Sequence, residues 1–156
     1  MKRILAAVAF VLLSVGVAAT VGSAGVSKSA RLSAFKSPSG NIICIYLPAA
    51  GGQQQAFVEC GIKSGLKPPP PKRGEACKHV DYVHDRIDLG ATGAAKPIAC
   101  AGDAGALAYA KQAKALRYGQ TFHKGGIWCS SHPSGMVCTN TQSHGFFLSR
   151  ARWKKF

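Results

Sequence analysis

Apolar residues fill both parities of the stretch from Asn41 to Leu47, where Ile43, Ile45 and Leu47 alternate with Ile42, Cys44 and Tyr46. That pattern predicts a strand covered on both faces. A loop through Ala49–Gln53 leads to a second strand over Ala56–Ile62, and antiparallel pairing about Gly52 places Cys44 opposite Cys60. Ahead of this hairpin, Ser37-Pro38-Ser39-Gly40 has the composition of a type I turn. Further on, His79–Leu89 and Ala95–Ala101 read as two strands around a Gly90–Gly93 turn, with Val80 and Tyr82 facing the core. Residues Ala104–Arg117, preceded by Asp103 and followed by Gly119, carry the N-cap, alanine-rich body and terminal glycine of a helix. The chain then repeats its opening device. His132-Pro133-Ser134-Gly135 is again a proline-led turn, and pairing His132 with Gly135 sets Cys129 opposite Cys138, ~4.5 Å apart at Cα if the pair is non-hydrogen-bonded.

The predicted fold is therefore mainly β, small antiparallel hairpins in a sandwich- or barrel-like sheet, with one short α-helix near 104–117 and three disulfides. The pairings are Cys129–Cys138 and Cys44–Cys60 by register, and Cys77–Cys100 by elimination. Between the first hairpin and Cys77, Pro68–Pro71 form a polyproline run that suits a stiff spacer better than a peptide-recognition ligand.

Lys2 and Arg3, an apolar run over Ile4–Val21, and small residues through Gly22, Ser23 and Ala24 follow the order of a secretory signal. Cleavage is expected after Ala24, with Ala19 as the second choice. The competing assignment is a membrane anchor, which Ser14, Gly16 and Thr20 weaken. Residues 1–24 are thus read as signal peptide, 25–34 as a flexible leader and 35–156 as a single disulfide-stapled domain. Six cysteines behind an export signal meet an oxidising compartment, so localisation is expected to be periplasmic, cell-wall associated or extracellular, with no membrane span after cleavage.

Charge adds two readings of equal weight, attraction to an anionic partner and a solubilising surface with no dedicated partner. The chain carries 20 Lys and Arg against 6 Asp and Glu, a formal charge of +14. Such an excess favours anionic surroundings, and an anionic polymer or envelope component is the expected partner rather than a specific nucleic acid. The residues expected to attract it are Lys63, Lys67, Lys72, Arg73, Arg150, Arg152, Lys154 and Lys155. Trp153 and Phe156, which interleave with the last of these, are read chiefly as docking the tail on the core.

Constellations for catalysis are weak. His79, Asp81 and Asp85 are read as the wet face of a strand, and no metal or cofactor is expected. Pro-Ser-Gly at Ser39 and Ser134 lacks a nucleophile elbow. Without closely spaced Cys-x-x-Cys pairs the thiols read as bridges, neither zinc ligands nor nucleophiles. His144, in the turn Ser143-His144-Gly145-Phe146 and near Arg150 in sequence, is the one weak catalytic candidate.

Seven short motifs run through the domain: Phe35-x-Ser37-Pro38-Ser39-Gly40-Asn41-Ile42-x-Cys44, Val58-x-Cys60-x-Ile62, Cys100-x-Gly102-Asp103, Leu116-x-Tyr118-Gly119, Gly126-x-x-Cys129-x-Ser131, Gly135-x-x-Cys138-x-Asn140 and Gly145-Phe146-x-Leu148-Ser149-Arg150. Together they resemble a family of small exported bacterial proteins of unknown function, from Phe35 to the C-terminus. The resemblance implies an exported, disulfide-bonded domain and carries no activity with it. The leading functional expectation is a non-enzymatic binding module for an anionic envelope or extracellular partner. The alternatives are an inhibitor of a cell-wall hydrolase, and a small secreted hydrolase or nuclease using His144.

Overall fold

A computed structural model describes residues 32–156 except Gly51, Gln53 and Arg73. The signal segment and most of the leader lie outside the described residues. Strand β1 (Ser33–Lys36) begins inside the segment read as leader. It opens a meander with β2 (Ile42–Leu47), β3 (Phe57–Ile62), β4 (Asp81–Gly90) and β5 (Lys96–Ala101). The two-residue strand β6 (Lys114–Ala115) adds to β1 in parallel, giving a six-stranded sheet A in the order β5-β4-β3-β2-β1-β6. A second antiparallel meander, β7 (Thr121–Lys124), β8 (Ile127–His132), β9 (Gly135–Asn140), β10 (Gly145–Leu148) and β11 (Trp153–Lys155), forms sheet B. The sheets remain separate, so the arrangement is a sandwich of two open sheets and no barrel is closed.

Period-two alternation decides which side chains meet between them. Ile42, Cys44, Val58, Cys60, Ile62, Ile87 and Leu89 of sheet A join Ile127, Cys129, Met136, Cys138, Phe146 and Leu148 of sheet B in one buried cluster. The registers expected from the turns are the ones observed, Cys44 opposite Cys60 and Cys129 opposite Cys138. Their Cα separations, 4.0 and 4.1 Å, are the close spacing of non-hydrogen-bonded pairs. Cys77 lies before β4, in a 3-10 turn over Gly74–Cys77, and is bridged to Cys100 on β5. Phe122 of β7 stacks on Phe35 with ring centroids 4.4 Å apart, closing the sandwich along the β1 side.

The α-helix expected near 104–117 does not form. Gly105–Tyr109 make a 3-10 turn, and Lys114 and Ala115 are taken up as β6. Asp103 does accept from the Gly105 amide at 3.0 Å, as an N-cap would. Gly105 then adopts φ +49°, and a Cβ there would run into the Glu59 carboxylate and the Arg86 guanidinium. Intrinsic helix propensity is a fraction of a kcal/mol per residue, which tertiary contacts override. Here the segment lies across the outer face of sheet A, where Ile43, Ile45 and Ala106 are buried and Leu107 sits over Gly61.

Arg86 holds that segment down. Its side chain, 3% exposed, donates to Asp103 Oδ1 and to the Asp103 carbonyl, each at 2.6 Å, and to Asp85 Oδ1 at 3.2 Å. Glu59 lies 4.0 Å from the guanidinium and accepts from the Ala106 amide at 2.5 Å. Val80 and Tyr82 are exposed rather than in the core, because Ile87 and Leu89 are the residues of this segment that face the core, and alternation turns the even-numbered positions outward. The displaced Tyr82 hydroxyl donates to the Pro70 carbonyl at 2.6 Å, and Trp153 Nε1 donates to the Pro68 carbonyl at 2.7 Å. The polyproline run is thus a strap joining β4 to β11 instead of a free spacer.

Replacing Arg86 with Leu leaves Glu59, Asp85 and Asp103 without their shared cation, and the expected loss is ~3–5 kcal/mol in denaturant unfolding. Amide exchange in residues 103–113 should accelerate before the core strands open. Uniform protection across that segment in the variant would show that Arg86 does not hold it.

Candidate anion-binding surface

Sheet B buries one face and leaves the other open. Pairing across its five strands places Thr121, Ser130, Val137, Phe147 and Lys154 in one row on the open face. His123, Trp128, Thr139 and Gly145 form the adjacent row. Trp128 stacks on His123 with centroids 4.5 Å apart and an 8° interplanar angle. Arg152 lies 5.8 Å from the Phe147 ring centroid and Lys154 6.0 Å from that of Phe156, within cation–π range. Phe156 bonds backbone to backbone with Gly145 and leaves about half its surface exposed. Half-exposed rings with cations over them offer stacking and charge on one surface.

His132 shares this face by alternation and also lines a cleft of about 370 Å³ at its end. The cleft is built from three turns: Ser37, Ser39 and Asn41 before β2, Pro133 and Ser134 between β8 and β9, and Ser149 and Arg150 after β10; Tyr118 stands beside them. Ser37 Oγ accepts from the Ile42 amide at 3.1 Å, and Ser149 Oγ accepts from the Arg152 amide at 3.1 Å, so both turns are internally tied. No acidic residue lines it. The Arg150, His132 and Tyr118 side chains make no hydrogen bond or ion pair among the described residues, which leaves their donors available to an anion.

The expected binding residues divide among these places. Arg150 lines the cleft, and Arg152 and Lys154 belong to the open face, while Lys155 is exposed on the opposite parity of β11. The carbonyl of Lys67 accepts from the Trp153 amide, so exposed Lys67 lies beside β11, and Lys63 donates its amide to Asn41 at the cleft's edge. Exposed Lys72 follows the strap, and Arg73 lies outside the described residues. Trp153 packs against the core, as expected of it, and also donates to the Pro68 carbonyl of the strap, whereas Phe156, expected to dock with it, stays about half exposed. His144 and Arg150 fall at opposite ends of β10 and do not share the cleft, where His132 stands instead. Among the described residues no group of His, Cys, Asp and Glu is arranged to hold a metal, and His79, Asp81 and Asp85 form none. No helix of the described residues is long and apolar enough to cross a membrane.

Sequence reasoning passed over His123, Trp128, His132 and Phe147. Their signal was available in two forms: period-two alternation through residues 121–147, and the distribution of acids. All six acidic residues lie between Glu59 and Asp103, whereas residues 104–156 hold eight Lys and Arg and no acid. Sheet B is built entirely from that second stretch.

A two-sheet sandwich, stapled inside by cystines and basic on one open face, is the class of domain these observations define. The chain belongs to a family of unknown function (DUF6636), whose profile matches residues 7–156. It matches none of the curated proteins and none of the solved structures compared with it.

Three acids meet on the outer face of sheet A, where Glu59 of β3 is paired across the sheet with Asp88 of β4 and Asp103 lies over them. Burial raises the Glu59 carboxyl above its ordinary range, against the Ala106 amide and Arg86, which lower it. The hydrogen bond from Arg86, helped by the Gly105 amide, holds Asp103 below its usual value. Asp88 is pushed up to about 7 by burial, with the Glu59 charge adding to it and Arg86 and Lys96 opposing it. A carboxyl raised in the folded state is bound to its proton there while the unfolded chain has already lost it. Stability should therefore fall as pH rises from about 4 to about 7, by up to ~4 kcal/mol at ~1.4 kcal/mol per pKa unit, and stay level above that for this group. Asp88→Asn should flatten that part of the thermal-unfolding profile. An unchanged slope in the variant would assign the pH dependence to another group.

Proposed function

We propose that the protein is an exported, non-enzymatic binding module that holds an anionic polymer of the cell envelope or its surroundings across sheet B and the adjoining cleft. The observation that carries this reading is the segregation of charge: every acid lies between residues 59 and 103, and the open face and cleft are lined with Arg150, Arg152, Lys154, His123 and His132. An unneutralised cationic face raises the local concentration of polyanions and steers their approach. Phe147, Phe156 and Trp128 add rings on which the sugar units of such a polymer stack. Three disulfides support a working place outside the reducing cytosol, and phosphate- or carboxylate-bearing glycans are the polyanions found there.

Attraction of this kind weakens as salt screens it. Binding of polyphosphate and of polygalacturonate, measured by titration calorimetry, should weaken ~tenfold or more between low and high salt. The triple variant Arg150→Ala, Arg152→Ala, Lys154→Ala should weaken it comparably at low salt. Lys78→Ala should not, because Lys78 lies in the acidic stretch beside Glu75 at 3.5 Å. Salt-independent affinity, or equal losses in both variants, would overturn the charge mechanism. Mass spectrometry of the exported form should find Gly25 as its first residue; a retained Met1 would replace the cleaved signal with an anchor.

A further inference from the structure

A second cavity, of about 470 Å³, opens on the acidic side of the molecule, over the outer face of sheet A. Its volume is within the range typical of small-ligand pockets. Phe57 of β3, Asp88 of β4 and Lys96 of β5 line it, with the turn through Gly90–Ala94 on one side and Gln54 on the other. Register explains the grouping. Asp88 faces Lys96 across one strand pair, and Phe57 faces Gly90 across the other. Gly90 lets Gln55 and Thr92 close over the strand end, since a Cβ there would meet the Gln55 side chain at 2.7 Å and the Thr92 carbonyl at 2.8 Å.

The walls are held in place. Gln55 Oε1 accepts from the Thr92 amide at 3.0 Å and from its hydroxyl at 2.7 Å, which joins the β2–β3 and β4–β5 turns. From sheet B, Asn140 Nδ2 donates to the carbonyls of Gly90 at 3.0 Å and Gly93 at 2.8 Å, Thr141 donates to the Ala91 carbonyl, and Gln142 accepts from the Gly93 amide. Inside, the polar groups are unspent. Asp88 Oδ1 is buried and has no hydrogen-bond partner, Lys96 closes no ion pair with it, and the Gln54 amide has no partner among the described residues. A buried polar atom without a partner is costly, and such atoms in native proteins usually await a ligand or water.

From this geometry we infer that the cavity binds a neutral, hydroxylated ring, a monosaccharide unit, with its apolar face against Phe57 and a pair of neighbouring hydroxyls bridging Asp88 and Lys96. A hydroxyl donates and accepts at once, so one diol meets a carboxylate that accepts and an ammonium that donates. A simple anion meets Asp88 and Glu59; a simple cation meets Lys96. This site is separate from the cationic face, and neither depends on the other.

The charged groups facing Asp88 are Glu59 from β3, Lys96 from β5, Arg86 from its own strand and Asp103 from the segment laid over the sheet. A ligand hydroxyl donating to the Asp88 carboxylate stabilises its ionised form, so binding strengthens as pH rises through about 7, and the bound ring lowers the pH at which Asp88 titrates. The test uses the oxidised protein, a panel of glucose, galactose, mannose and N-acetylglucosamine, and alanine as a zwitterion. Nuclear magnetic resonance should show one sugar shifting the amides of residues 54–57 and 90–96 and moving the Asp88 carboxyl titration to lower pH. Phe57→Ala and Lys96→Ala should each weaken that sugar ~tenfold or more. Asp88→Asn, checked for an intact fold by its amide spectrum, should abolish the pH dependence of binding. Shifts from no sugar at ~50 mM, a concentration adequate for millimolar affinity, would overturn the assignment. So would shifts produced by alanine alone, or an Asp88 titration indifferent to saturating sugar.

Discussion

Two cystines sit in one interior, each joining the middle strands of its own sheet. The Cys44–Cys60 bridge ties β2 to β3, and the Cys129–Cys138 bridge ties β8 to β9, every one of these cysteines fully buried. A covalent tie between directly opposed residues fixes register, and register fixes which side chains face inward along the whole strand pair. A slip of one residue would turn Ile42, Val58 and Ile62 outward, and Ile127, Met136 and Phe146 with their sheet. The core is small, as expected of a domain near 120 residues, and bridges of this kind each contribute ~2–4 kcal/mol, a large part of what such a domain has.

With the interior settled by apolar packing and cystine, the two outer faces are free to differ. Sheet A spends its outer face on self-assembly: Arg86 gathers Glu59, Asp85 and Asp103 and presses the 103–113 segment onto the strands. Every ion pair among the described residues joins groups between 59 and 103. None of these pairs includes Arg150, Arg152, Lys154 or Lys155 of the sheet B side. Arg150, Arg152, Lys154 and Lys155 are left facing solvent, and the net charge of the molecule becomes a field with a direction.

The turns link these faces to one another. Asn140, the last residue of β9, and Gln142, in the turn after it, hold the Gly90–Gly93 turn that walls the Asp88 cavity. The polyproline strap is gripped by Tyr82 from sheet A and Trp153 from sheet B. Polar side chains at loop ends, rather than the apolar core, thus set the shape of both concave sites. Such an arrangement is expected where rigid strands carry function on their connections.

Local chemistry in the sequence determined the hairpins. Proline-led turns and period-two alternation fix strand position and register within a few residues of a turn, so Cys44 opposite Cys60 and Cys129 opposite Cys138 could be read without coordinates. The Cys77–Cys100 bridge was reached only by elimination, because Cys77 lies before β4 in a 3-10 turn and has no strand register with β5, where Tyr82 stands opposite Cys100. Only the tertiary structure decided the segment from Asp103 to Arg117. Its alanines and caps favour a helix by small local terms, but the buried Arg86 cluster admits no side chain at Gly105 and the edge of β1 takes up Lys114 and Ala115. The same is true of the sites. Arg150 was visible as a charge, whereas its neighbours His132 and Tyr118, and the meeting of Phe57, Asp88 and Lys96, come from residues that only folding brings together. Local sequence carries turn and pairing preferences; which outer face is covered, and which buried carboxyl is left without a partner, depends on how two sheets and their loops pack.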